Sequence, residues 1–143
     1  MRKYVGVCVA LVLFAVMASA QEQNQKVIKH VPVQSTSPTS GVEMYKAYCA
    51  VCHAADGKGN GPAAPALKSQ PTDLTTLSKN NGGKFPDMKV ASMIRGEGNV
   101  PAHGTPEMPV WGQLFWGMSH GHEGEVQQRV ANLTKYIESM QTK

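Results

Sequence analysis

Residues 49–53 read Cys49-Ala50-Val51-Cys52-His53, and this stretch decides how the rest of the chain is interpreted. Ser40 and Glu43 form a capping-box pattern a few residues earlier, which is typical of the start of a helix. The apolar or cysteine residues that recur at helical spacing are Val42, Tyr45, Tyr48, Cys49 and Cys52. We therefore predict a helix from about Gly41 to His53, on which both thiols and the imidazole share one face.

Two cysteines one helical turn apart, followed at once by a histidine, form the attachment motif of c-type haem. The thiols can add to the two vinyl groups of the porphyrin, and the imidazole can reach the iron from the same side. A thioredoxin-like pair would require a preceding strand, and a structural zinc site would require further ligands. A plain disulfide would leave His53 unexplained. We predict one haem c, covalently bound to Cys49 and Cys52, with His53 as an axial ligand of the iron.

The second axial ligand must come from another part of the chain. Met108 lies in a loop bracketed by prolines, Thr105–Pro109, where no periodicity explains an apolar side chain as ordinary core. A stiff loop loses little entropy when it presents a thioether to iron, so Met108 is the predicted sixth ligand. The rival candidates are His103, His120, His122 and Met118. The methionines that we interpret instead as helix residues are Met44, Met88, Met93 and Met140.

The amino terminus has the pattern of a secretory signal peptide. Arg2 and Lys3 precede a short apolar run, and Ala18-Ser19-Ala20 fits a cleavage site, so we expect residues 1–20 to be removed on export to the periplasm. Cys8 would leave with them, and the two remaining cysteines should not stay free in an oxidising compartment.

Cleavage lowers the number of Lys and Arg residues from 14 to 12, against 10 acidic residues. No basic stripe with interleaved aromatic residues is present, which argues against nucleic-acid binding.

The remaining sequence divides into a leader and a helical domain. Residues 21–38 are polar and proline-containing and predict a flexible leader, so we place the folded domain at residues 39–143. Residues 54–84 predict a loop whose length favours wrapping around a cofactor. Shorter helices are predicted at 86–95 and 112–117. In the first of these, the residues expected to face inward are Met88, Ala91 and Ile94.

The last helix has the clearest periodicity. Its apolar residues alternate at spacings of four and three, at Val126, Val130, Leu133, Ile137 and Met140. No segment predicts a strand ladder. The expected fold class is therefore all-α, with three to five helices and long loops wrapped around one covalently attached haem.

Beyond the motif, residues 40–141 resemble the class I cytochrome c family of small monohaem electron carriers. Gly41 with Tyr45, and Leu133 with Tyr136, match the positions at which the first and last helices of that family cross. Glycine permits the close backbone approach that such a crossing requires. The resemblance implies the cytochrome c fold for nearly the whole mature chain.

The resemblance also implies a haem pocket. Pro65 and Leu67 match a pair in the family in which the proline carbonyl accepts a hydrogen bond from the axial imidazole; Pro62 is the alternative. Met108-Pro109 resembles the distal methionine segment of the family, followed by Trp111. We therefore place Pro65, Leu67 and Trp111 in the haem pocket, and Trp116 in the pocket or the core.

These predictions favour an electron carrier over an enzyme, because an iron ligated by histidine and methionine has no open position for a small-molecule substrate. The expected partners are redox proteins, including a membrane-bound oxidoreductase. Lysines that could surround the exposed haem edge and attract acidic partners are Lys46, Lys58, Lys68 and Lys84. Two alternatives stay open: a haem enzyme or gas or peroxide sensor with a labile methionine, and a haem subunit of a larger oxidoreductase.

Overall fold

A computed structural model describes residues 33–97 and 111–142. The regular secondary structure of these residues is helical, with no β-strand among them. Helix α1 (Gly41–Met44) continues through a π-helical turn (Tyr45–Cys49) into α2 (Ala50–His53), and we call this continuous run the attachment helix. Three longer helices follow: α3 (Asp87–Arg95), α4 (Trp111–Met118) and α5 (Glu123–Ser139). Short 3₁₀ turns lie at Ala64–Ala66, Leu74–Thr76 and Lys79–Asn81. The all-α prediction is confirmed.

The attachment helix begins where the capping pattern predicts. Ser40 Oγ accepts a hydrogen bond from the backbone N–H of Glu43 at 3.3 Å, which satisfies one of the free donors of the first turn. The Glu43 carboxylate accepts from the N–H of Ser37 at 3.3 Å. The glutamate therefore fixes the chain that enters the helix.

The attachment helix crosses α5, as the family resemblance implies. Gly41 lies directly against the backbone of Asn132, and the rings of Tyr45 and Tyr136 are 5.2 Å apart between centroids. The α5 residues buried at this side follow the predicted stripe, namely Val126, Val130, Leu133 and Ile137. Packing of α5 against the attachment helix and α3 forms the centre of the fold.

Helices α3 and α4 lie within a residue of their predicted limits. Ile94 is buried and Ala91 is partly buried, but the prediction that Met88 faces inward is wrong, since it is 82% exposed. The buried face of α3 includes Val90, which lies about 200° around the helix from Met88. Gly112 at the start of α4 packs directly on the backbone of Arg95 at the end of α3.

Residues 33–38, which we assign by composition to the leader, are hydrogen bonded to the helices. Thr36 is buried, and its carbonyl accepts a hydrogen bond from Nη1 of Arg129 at 3.0 Å. The Pro38 carbonyl accepts from Nδ2 of Asn132, also at 3.0 Å. Composition analysis does not detect this segment, because polar contacts to its backbone fix it in place and it buries little apolar surface.

Candidate functional site

The two cysteines of the motif and its histidine occupy the end of the attachment helix. Cys49 closes the π-helical turn, and Cys52 and His53 lie in α2; neither thiol forms a disulfide. Burial raises the pKa of the Cys49 thiol to about 12, and the neighbouring Cys52 thiol adds to this shift. At neutral pH this thiol is therefore protonated.

The loop after the motif closes the end of the attachment helix. The last carbonyls of a helix lack partners within it. Here those of Val51, Cys52 and His53 accept hydrogen bonds from the N–H groups of Ala63, Gly61 and Gly59, at 2.9, 3.0 and 3.0 Å. Residues 59–63 therefore run alongside the motif and fix its position. Part of the long loop predicted at residues 54–84 thus serves the attachment site directly.

Thr72 contacts the imidazole of His53. The histidine is 8% exposed, and its Nδ1 donates a hydrogen bond to the Thr72 carbonyl at 3.0 Å. The resemblance implied Pro65 as this acceptor, and that assignment is wrong. Pro65 lies in the 3₁₀ turn Ala64–Ala66 and is exposed, while Leu67 is partly buried. Thr72 reaches the ring because the chain passes close to Gly59, where a Cβ would lie 2.1 Å from the Pro71 oxygen.

The donor set at this site fits a covalently bound haem c. Two free thiols are available for thioether bonds, and with Nδ1 of His53 donating to Thr72, Nε2 is the ring nitrogen that would bind iron. Within residues 33–97 and 111–142, no group of three or more His, Cys, Asp or Glu residues is placed to hold a metal ion.

An aromatic cluster adjoins the motif. Tyr48, next to Cys49, stacks on Trp111 with ring centroids 4.9 Å apart. The Tyr48 hydroxyl lies 2.6 Å from the Gln34 carbonyl and 3.5 Å from the Met118 sulfur, which is therefore occupied by a core contact. Trp111 is buried, whereas Trp116 is 49% exposed, so Trp116 is not part of the core.

Among the described residues, the two remaining histidine candidates and the four predicted lysines lie at the surface. Met108 and its rival His103 lie outside the described residues. His120 and His122 are exposed at the turn between α4 and α5, and His122 is the residue that precedes the first turn of α5. The four lysines predicted to attract partners are exposed: Lys46, Lys58, Lys68 and Lys84.

Comparison with known proteins gives one match. A family model described as Cytochrome c matches residues 39–141, which is well over half of the chain and includes the entire site above. No curated protein and no solved structure matches. Over the described ranges, none of the helices is both long and apolar enough to span a bilayer.

Proposed function

Because this chain belongs to the cytochrome c family, we propose that it is a periplasmic one-electron carrier whose haem c iron is ligated by His53 and Met108. The observation that carries this proposal is the attachment site, in which two free thiols and a hydrogen-bonded imidazole end a single helix. When bound, the haem supplies an iron that alternates between its ferrous and ferric states.

The contribution of the chain is to hold the imidazole in one position. Thr72 fixes Nδ1 of His53, and Gly59 donates to the carbonyl of the same residue. A ligand that is fixed at both its ring and its backbone moves little when the charge on its metal changes. Such rigidity suits a protein that transfers electrons without binding a substrate.

Met108 is proposed as the sixth ligand on the proline-bracketed sequence around it. Two other methionines support this choice, since they already have partners in the core. Met44 is fully buried within the attachment helix, and the Met118 sulfur accepts from the Tyr48 hydroxyl. A thioether ligand favours the ferrous state and raises the reduction potential, which suits an electron carrier.

The proposed location and partners rest on residues 1–20 and on the exposed lysines. A cleavable signal would place the mature protein in the periplasm, where a membrane-bound oxidoreductase with an acidic docking surface could exchange electrons with it. Transfer rates that fall as ionic strength rises would support steering by these lysines. Rates independent of salt would remove that part of the proposal.

The decisive experiment is a pyridine haemochrome spectrum together with the mass of the mature protein, made in a host that matures c-type cytochromes. We expect one haem per chain, covalently bound to a polypeptide that begins after residue 20. A colourless product with the mass of the bare polypeptide would overturn the proposal.

Mixing the ferrous protein with carbon monoxide tests the sensor or enzyme alternative, since a six-coordinate carrier should not respond rapidly at neutral pH. Copurification with other subunits would reveal a larger oxidoreductase.

A further inference from the structure

Three hydrogen bonds and the backbone between them form a closed circuit that begins and ends at His53. Its carbonyl accepts from the N–H of Gly59 at 3.0 Å. The Gly59 carbonyl accepts from Nε2 of Gln70 at 2.7 Å. Two residues beyond Gln70, the Thr72 carbonyl accepts from Nδ1 of His53 at 3.0 Å. One glutamine side chain thus connects the backbone that follows the histidine to the segment that contacts its ring.

The two segments of this circuit are in close contact. Gly59 has φ +79°, and a Cβ there would lie 2.1 Å from the Pro71 oxygen, so the Thr72 segment packs directly on the glycine backbone. Beside this contact, the N–H of Leu74 donates to the Gly57 carbonyl at 2.7 Å. Thr72 lies between these two contacts in sequence, and the Gln70 side chain is the one that connects its segment to Gly59.

We propose that Gln70 is a positioning residue that sets the reduction potential by holding the Thr72 carbonyl against Nδ1 of His53. This inference rests on the proposed function, because it requires His53 to ligate a haem iron. A hydrogen bond from Nδ1 makes the imidazole a stronger donor to its metal, which favours the ferric state. Loosening the Thr72 carbonyl should weaken that bond and raise the potential.

The chain offers a matched control in a second glutamine. Nε2 of Gln141 donates to the carbonyls of Leu74 and Ile137 at 2.6 and 2.9 Å, and its Oε1 accepts from the N–H of Ser78 at 2.8 Å. Gln141 therefore anchors the same stretch of loop to α5 with more hydrogen bonds than Gln70 makes. Among the described residues, Gln141 forms no hydrogen bond with Gly59, Gln70 or Thr72.

The test compares holoproteins carrying Gln70→Ala, Gln70→Leu or Gln141→Ala with the parent protein. We expect both Gln70 variants to raise the midpoint potential, with a several-fold change in the equilibrium constant for reduction. They should also speed exchange of the His53 Nδ1 proton, followed by NMR in the reduced state. Gln141→Ala should lower stability and leave both readouts unchanged.

Equal potentials in the Gln70 variants and the parent, or equal shifts in all three variants, would overturn the inference. Gln70→Leu keeps the side-chain volume without the donor, so a folding defect of the alanine variant does not remove the test. The inference also makes a prediction for the parent protein, in which the Nδ1 proton of His53 should exchange slowly. Rapid exchange in the parent protein alone would contradict the inference. Absence of covalent haem from the parent would instead count against the proposed function.

Discussion

Gly41 of the attachment helix packs directly against the backbone of Asn132 in α5. A Cβ on Gly41 would lie 2.2 Å from the Asn132 carbonyl oxygen and 2.9 Å from the Tyr136 Cβ. The first contact is with backbone, which cannot rotate away as a side chain can. The position of the attachment helix, and with it that of the motif at its end, therefore depends on the absence of a side chain at residue 41.

Gly41→Ala should lower the free energy of unfolding of the holoprotein by about 2 kcal/mol, because the helices must separate to admit the methyl group. Guanidinium unfolding measures the loss. Gly124→Ala on α5 is the matched control, since a Cβ there meets nothing within 4 Å. Alanine is the better helix former, so the control should gain up to about 1 kcal/mol. Equal stability of Gly41→Ala and the parent would show that the helices do not cross at residue 41.

Ala54, immediately after the axial histidine, has an unfavourable backbone conformation, with φ 63° and ψ 167°. This region is essentially restricted to glycine and costs other residues about 1–3 kcal/mol. The surrounding hydrogen bonds maintain it: the Ala54 N–H donates to Ala50 at 2.9 Å, and its carbonyl accepts from the Tyr45 hydroxyl at 2.8 Å. Tyr45 is fully buried, and burial raises the pKa of its hydroxyl well above the usual range.

Ala54→Gly should therefore raise the unfolding free energy by about 1 kcal/mol, which thermal or guanidinium unfolding can measure. Ala55→Gly is the control, because Ala55 is exposed and has negative φ. It should be neutral or destabilising by up to about 1 kcal/mol, since glycine adds freedom to the unfolded chain. A stabilised Ala55→Gly, or a destabilised Ala54→Gly, would contradict the assignment of strain to residue 54.

Features set by local sequence could be predicted, and features set by distant backbone could not. The attachment helix and α5 follow from side-chain periodicity and from Ser40, all of which act within a few residues. The acceptor for His53 was misassigned because every residue carries a carbonyl, and only the close approach at Gly59 selects Thr72.

The segment at residues 33–38 was missed for a similar reason. Its partner Arg129 is 93 residues away in sequence, and a lone arginine on the periodic pattern of α5 reads as a surface residue. The structure instead buries Arg129 to 3% exposure, where it also pairs with Glu125 at 2.8 Å. No local pattern distinguishes this arginine from an exposed one, because its burial is set by the chain that folds over it.

Arg129→Met should lower the unfolding free energy by about 2 kcal/mol or more, since the Thr36 carbonyl loses its donor and the Glu125 carboxylate loses the guanidinium while keeping the Ser119 hydroxyl. The loss should be accompanied by faster proteolysis within residues 33–38. Arg95→Met is the control, because the partners of Arg95 among the described residues are the exposed carboxylates of Glu97 and Glu123, at 3.8 and 3.5 Å. Such pairs contribute at most about 1 kcal/mol. Similar losses in both variants would argue against a special role for Arg129.

Glu125 should contribute to the acid sensitivity of the protein. Hydrogen bonds from Arg129 and then Ser119 lower the pKa of its carboxyl below the usual value of 4.5. Because the pKa of Glu125 is lower in the folded state, the stabilisation that its carboxylate provides is complete above pH 4.5. It is lost as the pH falls below 4.5 through the folded-state pKa. Glu125→Gln should therefore flatten the fall of stability with pH in that window, as measured by urea unfolding at several pH values. Glu138→Gln is the control for the change in charge, because it removes an exposed carboxylate from the same helix. If stability falls as steeply with pH in Glu125→Gln as in this control, the prediction is contradicted.

Met108→Ala tests the proposed sixth ligand. The haem should stay covalently attached, because the thiols of Cys49 and Cys52 are untouched, while the iron becomes open to external ligands. The long-wavelength sulfur-to-iron absorption band should disappear, and the ferrous variant should bind carbon monoxide rapidly. Met88→Ala is the matched control, since that methionine is 82% exposed and should leave both readouts unchanged. If the band survives in Met108→Ala and vanishes in another methionine variant, that other methionine is the ligand. A band absent from the parent protein would favour a histidine ligand such as His103.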